Sequence, residues 1–350
     1  MSKTKKIRSN DSRTRYSRNR SSRNTSSRTR KSYNKNIQRP KQYIGCHASI
    51  ANGILEGIKY IESIGGNALQ IFLGSNRSAS LKTKHKFRDP GEIAEIKNYI
   101  TENKICLIIH SIYLLNFCSF PPNSGRIQYM HQNIQYDLKY GQMLGAKCVV
   151  LHTGSSRELP IEEAIKNMIA NVNHIIAHMP KGIMLSLETS AGKGKEIAWN
   201  LEELDQIWKG IRHGNGNGTR RVGICIDTAH IFVSGYDISN VKGITDYMKK
   251  FDSLIGLKYI TNFHINDSRY PMGSRKDEHR GLGHGLIYNT EEGKKALKYI
   301  KKMASSLKIP IILETHGAGG KSRGGEDGGQ GARGEEDGYK EDIKFIQYEL

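Results

Sequence analysis

The chain has 350 residues, 37% of them hydrophobic, and carries a formal charge of +20 from 54 Lys and Arg against 34 Asp and Glu. No apolar stretch approaches the roughly 20 residues that a membrane-spanning helix needs, and five cysteines without C-x-x-C spacing argue for reduced thiols rather than a disulfide framework. No apolar segment follows the N-terminal charges as in a secretory signal, so the expected setting is intracellular, nuclear or cytoplasmic.

Residues 1–42 hold 15 Lys or Arg and one Asp, which places +14 of the charge there and +6 in the rest of the chain. The segment is rich in Ser, Asn and Thr and almost free of large aliphatic residues, so it cannot build a core and is expected to be a disordered basic arm. A nucleic-acid-binding arm, a nuclear address and a solubilising extension all fit this composition. From Tyr43 onward the text changes to short runs of Ile, Leu and Val bounded by turn residues, the pattern of strands covered on both faces. In chain order these are YIGCHAS ending near His47, ALQIFLGS near Phe72, CLIIH at His110, CVVLHTGS at His152, GIMLSLETSAG at Glu188, GICIDTAHIF at Asp227, YITNFHIND at His264 and IPIILETHG at Glu314. The text between them has helical spacing, as in the apolar series Ile54, Ile58 and Ile61, in GEIAEIKNYITEN and in IEEAIKNMIANVNHIIAHM. Eight strand–helix units over residues 43–315 predict a single (β/α)8 TIM barrel rather than an open doubly wound sheet. The domain is expected to extend to residue 350, with a Gly-rich flexible insertion at about 317–338 and a last helix at about 339–350.

All strand C-termini of such a barrel open on one face, which carries the active site. His110, His152, Glu188, Asp227, His264 and Glu314 come from six strands and converge there. So many imidazole and carboxylate donors exceed one acid–base pair and suit zinc, manganese or iron. Glu188 has two oxygens with which to bridge two ions. In the stretch DSRYPMGSRKDEHRGLGHG, Asp277 and His279 are two apart, so in an extended loop both face one ion. His230, three residues after Asp227, is the natural third partner.

At these residues the chain resembles the endonuclease IV family of apurinic/apyrimidinic endonucleases, tri-zinc DNA-repair enzymes on a (β/α)8 barrel. The matching stretches are CIDTAHIFVSGYD, LHTGS, LETSAGKG, FHINDSR, GSRKDEH and ILET, spread from about Tyr43 to Glu314. The resemblance implies three zinc sites. His110, His152 and Glu188 would hold the first; Glu188, Asp227, His264 and Glu314 the second; His230, Asp277 and His279 the third. Glu188 and Glu314 would be catalytic. The implied substrate is duplex DNA with an abasic site, cut 5′ to the lesion to leave a 3′-hydroxyl and a 5′-deoxyribose phosphate, with trimming of blocked 3′ ends by the same chemistry. Arg77, Tyr113 and Leu114 stand at the family's intercalating positions, and Arg275 would also contact DNA. No obligatory protein partner is expected, and the chain reads as a monomer.

Other histidines fall outside this set. His47 matches a family motif at the first strand but not as a ligand, and His284 stands where relatives commonly carry an acidic or other polar residue. His316 reads as a surface or supporting position. His85, His131, His174, His178 and His213 read as structural or surface residues. A metal-dependent sugar isomerase or epimerase on the same barrel is the main rival, and a non-catalytic DNA-binding module is the rival from another class. The pair Asp277 and His279, the added ligands His110 and His152, and the positive charge argue against the sugar enzyme.

Overall fold

A computed structural model of the chain describes residues 42–213, 220–315 and 335–350. The basic arm, most of the Gly-rich stretch and His316 lie outside the described residues. In chain order the elements are β1 (Ile44–His47), α1 (Ile54–Ser63), β2 (Ala68–Phe72), α2 (Pro90–Asn103), β3 (Cys106–His110), α3 (Gln128–Leu144), β4 (Cys148–His152), α4 (Ile161–His178), β5 (Met184–Glu188), α5 (Leu201–Gly210) and β6 (Val222–Asp227). They continue with α6 (Thr228–Val233), α7 (Val241–Leu254), β7 (Ile260–His264), β8 (Asp267–Ser268), β9 (His279–Arg280), α8 (Glu291–Leu307), β10 (Ile311–Leu313) and α9 (Glu335–Lys344), which runs into a π turn at Phe345–Glu349.

Eight parallel strands close in the order β1-β10-β7-β6-β5-β4-β3-β2, the TIM barrel that the sequence predicts. Each strand is buried on both faces, yet the two faces meet different partners. Leu107, Ile109, Val149, Leu151, Leu185, Leu187, Ile224 and Ile226 point outward into the layer beneath the helices. The residues between them, Cys106, Ile108, Cys148, Val150 and Cys225, join Ala68 and Ile312 as the packed interior of the barrel. Side chains alternate along a strand, so His110, His152, Glu188 and Asp227 inherit the inward direction from these interior residues. The chemistry thus sits at the last inward position of each strand.

The helices seal the outside through the faces that their spacing predicts. Ile54, Ile58 and Ile61 of α1 are buried, as are Ile93, Ile96 and Ile100 of α2. Each such side chain removed from water stabilises the fold by roughly 1.5–3 kcal/mol. Capping fixes where helices start: Asp89 accepts from the Glu92 amide with Pro90 at the first position, and Asn240 and Thr290 cap α7 and α8. At the β1–β2 pairing the strands approach so closely that a Cβ on Gly45 would lie 1.7 Å from the Ala68 carbonyl oxygen. Gly45→Ala therefore breaks barrel closure at that point.

Three details differ from the sequence reading. The last barrel strand ends at Leu313, so Glu314 is the first residue past it. The last helix begins at Glu335 rather than about 339, because Gly338, which reads as a breaker, lies inside it. The loop between Asp267 and Arg280 is not merely extended: β8 and β9 pair antiparallel, Asp267 with Arg280 and Ser268 with His279, and this ribbon carries Asp277 and His279 back over the barrel mouth.

Candidate metal centre

Strand register sets the level of the donors. His152 pairs with Glu188 across β4–β5, and Asp227 with His264 across β6–β7. The next donor follows from helix chemistry. Asp227 is the N-cap of α6, and its Oδ1 accepts from the His230 amide at 2.9 Å. The Asp-x-x-His spacing is thus a capping arrangement, the ordinary use of Asp at a strand end, and it also folds His230 back onto the rim. Asp227 keeps its other oxygen for the site.

Glu188 lies at the centre, almost fully buried. Its Oε2 is 3.3 Å from His110 Nε2 and 3.1 Å from His152 Nε2, whereas its Oε1 is 2.8 Å from His264 Nδ1. One carboxylate therefore faces two groups of histidines with different oxygens. His264 Nδ1 also lies 3.1 Å from Glu314 Oε2 and 3.8 Å from Asp227 Oδ2. On the ribbon side, Asp277 stands between His230 Nε2 at 3.2 Å and His279 Nε2 at 3.1 Å.

The donor atoms form three groups of a size that could hold an ion, each with its atoms within 4.8 Å of one another: His110, His152 and Glu188; Glu188, Asp227, His264 and Glu314; and Asp227, His230 and His279. The first two coincide with sets that the resemblance implies. The third shares His230 and His279 with the implied set and includes Asp227, 3.8 Å from His279 Nε2, whereas Asp277 lies nearer, between the two imidazoles. A further grouping substitutes Cys225 beside Glu188 and His264. Burial pushes the Cys225 thiol up, and its sulfur accepts from Asn262 Nδ2 at 2.9 Å, so it is a protonated interior residue rather than a donor.

The rings are held from behind. His110 Nδ1 donates to the Ser111 carbonyl at 2.7 Å and His230 Nδ1 to the Thr189 carbonyl at 2.8 Å. Those carbonyls accept a proton held on Nδ1 and turn Nε2 toward the site, the usual outer support of a metal-binding imidazole. His264 is reversed. Its Nε2 meets Gln70 Oε1 at 2.8 Å, leaving Nδ1 for Glu188 and Glu314, and Gln70 Nε2 donates to Glu314 Oε1 at 2.6 Å. Asn266 likewise holds two carboxylate-bearing residues at once. Its Nδ2 donates to Asp227 Oδ2 at 2.6 Å, and its Oδ1 accepts from the Glu314 amide at 2.9 Å.

Burial alone would raise the Glu188 carboxyl, but His152 and His264 outweigh it and hold the group well below the usual carboxylate range. Burial acts likewise on Asp277, countered by His230 and His279, and on Glu314, countered by His264. Burial would lower the imidazoles, yet Glu188 pushes His152 up, Asp227 and Asp277 push His230 well above its ordinary value, and Asp277 and Asp227 push His279 up to about 9. Without cations the site thus keeps its negative charge in balance by holding protons on histidine. Divalent ions fit this donor set by displacing those protons. The His279 Nε2 faces that centre, 3.1 Å from Asp277 Oδ1 and 3.8 Å from Asp227 Oδ2.

His47 stands beside the cluster, 3.8 Å from Glu314, and burial lowers its pKa against the pull of that carboxylate. His131, His174 and His178 lie on α3 and α4, outside the barrel. Tyr113 and Leu114 are about half exposed at the rim. The Tyr113 ring centroid lies 5.5 Å from that of His110 and 5.2 Å from that of His152. Both residues line an open cavity of about 220 Å³ whose floor includes His152, Glu188, His230 and Asp277. Arg77 and Arg275 do not line it. Arg77 is exposed on the loop after β2, and the Arg275 guanidinium lies 3.8 Å over the Trp199 ring. Gln70 and Asn266, which hold the donor residues, are the site residues that the sequence reading missed.

The sequence profile of a family described as a xylose isomerase-like TIM barrel matches residues 58–348. A putative endonuclease 4 of Acanthamoeba polyphaga mimivirus is 32% identical over 277 residues, covering 78% of this chain and 85% of that protein. Among solved structures, endonuclease IV from Thermus thermophilus aligns with a TM-score of 0.67 at 22% identity, covering 88% of this chain and 100% of that one. A D-tagatose 3-epimerase-like protein aligns with a TM-score of 0.56 at 17% identity, covering 78% of this chain and 90% of that one. At these identities the two structural likenesses show a shared barrel and leave the chemistry to the site.

Proposed function

The chain belongs to the endonuclease IV family, and on that premise we propose that it is a zinc-dependent DNA-repair endonuclease that hydrolyses the phosphodiester 5′ to an abasic site in duplex DNA. The observation that carries this reading is the three overlapping donor groups that meet at Glu188 and Asp227. An epimerase-type centre of one or two ions has no use for the ribbon that brings Asp277 and His279 against His230. A binding module without catalysis has no use for any of the groups.

His110, His152 and Glu188 would hold the first zinc, Glu188, Asp227, His264 and Glu314 the second, and His230, Asp277 and His279 the third. Zinc in these sites supplies positive charge against the phosphate and lowers the pKa of a nearby water toward about 7. Three divalent ions outweigh the four carboxylates of the set by two charges, which suits an anionic substrate. Water attacks phosphorus, the bond to the 3′-oxygen breaks, and that oxygen leaves as a 3′-hydroxyl opposite a 5′-deoxyribose phosphate. Glu314, held by Gln70 and Asn266, orients the attacking water. The same chemistry trims blocked 3′ ends.

Tyr113 and Leu114 form the wedge that keeps the duplex open at the rim, and Arg77 and Arg275 contact the strands. Extrusion of a nucleotide costs a few kcal/mol and least where a base is missing. The cavity, smaller than the roughly 300 Å³ at which drug-sized pockets begin, admits a sugar-phosphate. No helix among the described residues is long and apolar enough to cross a membrane. The basic arm adds phosphate contacts, and the enzyme acts as a monomer inside the cell.

The test is incision of a duplex carrying one defined abasic site, with and without chelator, with the new ends mapped. The expected result is a single metal-dependent cut 5′ to the lesion with a 3′-hydroxyl. Epimerisation of a ketose without incision would overturn the reading.

A further inference from the structure

The segment after His279 and the segment after Glu314 are tied to the same side chain. Asp342, on the C-terminal helix α9, is buried. Its Oδ1 accepts from the Leu282 amide at 2.9 Å, and its Oδ2 accepts from Thr315 Oγ1 at 2.6 Å. Leu282 is three residues beyond His279, and Thr315 directly follows Glu314. The two segments also touch each other, since His279 Nδ1 donates to the Glu314 carbonyl at 3.4 Å. A second buried carboxylate, Asp267 of β8, collects the amides of Gly283, Gly285 and Ile287 at 2.8–3.1 Å. A Cβ on Gly285 would lie 2.4 Å from that carboxylate, so the segment is drawn down hard against it. Asp267, together with the Ser268 carbonyl that accepts from the Leu286 amide at 2.8 Å, fixes the Gly283–Ile287 stretch to β8. Asp342 takes both the Leu282 amide and the hydroxyl of Thr315, the residue beside Glu314.

We propose that Asp342 is a positioning residue of the metal centre: through α9 it sets His279 and Glu314 relative to one another, so that the C-terminal helix is part of the catalytic apparatus rather than a cover on the barrel. This rests on the zinc reading of the site. Carboxylates that hold backbone amides and a hydroxyl behind a ligand fix where that ligand's donor atom points, and losing such outer support typically weakens metal binding by about 10–100-fold.

The experiment compares the full-length chain with Asp342→Ala, Asp342→Asn and Thr315→Val. It measures zinc retained per chain against a mild chelator, kcat and KM on an abasic duplex, and amide exchange at Leu282 through Ile287. For Asp342→Ala the expected result is one zinc fewer retained than by the parent, kcat lower by at least ~10-fold with KM moved less than ~3-fold, and faster exchange at Leu282. Asp342→Asn keeps an oxygen for the Leu282 amide and is expected to recover most of the loss. Thr315→Val removes one of the two ties and is the fallback should Asp342→Ala not fold; a several-fold lower kcat is expected. Parent-like zinc retention and kcat in Asp342→Ala, or in Thr315→Val where the alanine variant does not fold, overturn the proposal. If the parent itself holds fewer than three zinc ions, the reading of the site fails. The tie is then judged by exchange alone, and unchanged protection at Leu282 in Asp342→Ala overturns it.

Discussion

The floor of the barrel mouth and its rim are built in opposite ways. On the floor, Glu188, Asp227 and His264 are almost wholly buried, and each is held by at least two partners at fixed distances. On the rim, Tyr113 and Leu114 are about half exposed, and Arg77 stands on a loop. A floor residue removed leaves opposite charges buried without their partner, which costs several kcal/mol. A rim residue removed leaves a surface that water can fill. In the proposed function chemistry belongs to the floor and substrate engagement to the rim, and four variants test that division.

The largest effect is expected at Glu314, which touches His264, Gln70 and Asn266. Glu314→Gln keeps its size and removes its charge. Incision at saturating DNA should fall at least ~100-fold while folding and DNA binding stay near normal. Turnover like that of the parent would show that the carboxylate takes no part in the centre.

Gln70 comes next, because it reaches the floor without being a ligand. Gln70→Leu takes away the acceptor that fixes the His264 ring and the donor to Glu314. Zinc affinity at that position should weaken about 10–100-fold, read by chelator competition, with a smaller change in affinity for intact duplex. Unchanged zinc affinity would show that strand packing alone orients His264.

The rim gives the converse pattern. Alanine at both Tyr113 and Leu114 should raise KM for an abasic duplex about tenfold, equivalent to ~1.4 kcal/mol, with kcat within about threefold and zinc content unchanged. A loss confined to kcat would move these residues from the rim to the chemistry, in keeping with the closeness of Tyr113 to His110 and His152.

The smallest effect on turnover is expected from the arm. Deleting residues 1–42 removes +14 of charge. Each lost phosphate contact should reduce the magnitude of the slope of log K against log salt by about 0.9. Binding to intact and abasic duplex should weaken alike, with kcat at saturating DNA nearly unchanged. An unchanged slope together with mislocalisation in cells would make the arm an address.

Much of the floor was legible in the sequence because strand physics writes it there. A run such as CVVLH must be covered on both faces, and a polar residue at its end has one place to go. Strands β1 to β7 end where the apolar runs end. Asp227 and His230 were singled out by their spacing, which the structure shows to be a helix cap, with Asp227 Oδ1 accepting from the His230 amide. Gln70 was hidden inside ALQIF, where the apolar neighbours dominate. The available signal was the cost of burying an amide without partners in a barrel interior. Asp342 was hidden for another reason: its partners Leu282 and Thr315 lie 60 and 27 residues away, and no local pattern connects them.

The most direct test of the three-ion centre is the metal content of the purified full-length protein after zinc supplementation and removal of loosely held ions. The donor geometry predicts about three zinc ions per chain, all removed by a strong chelator with loss of incision and restored together by zinc. Two or fewer ions per folded chain would contradict it.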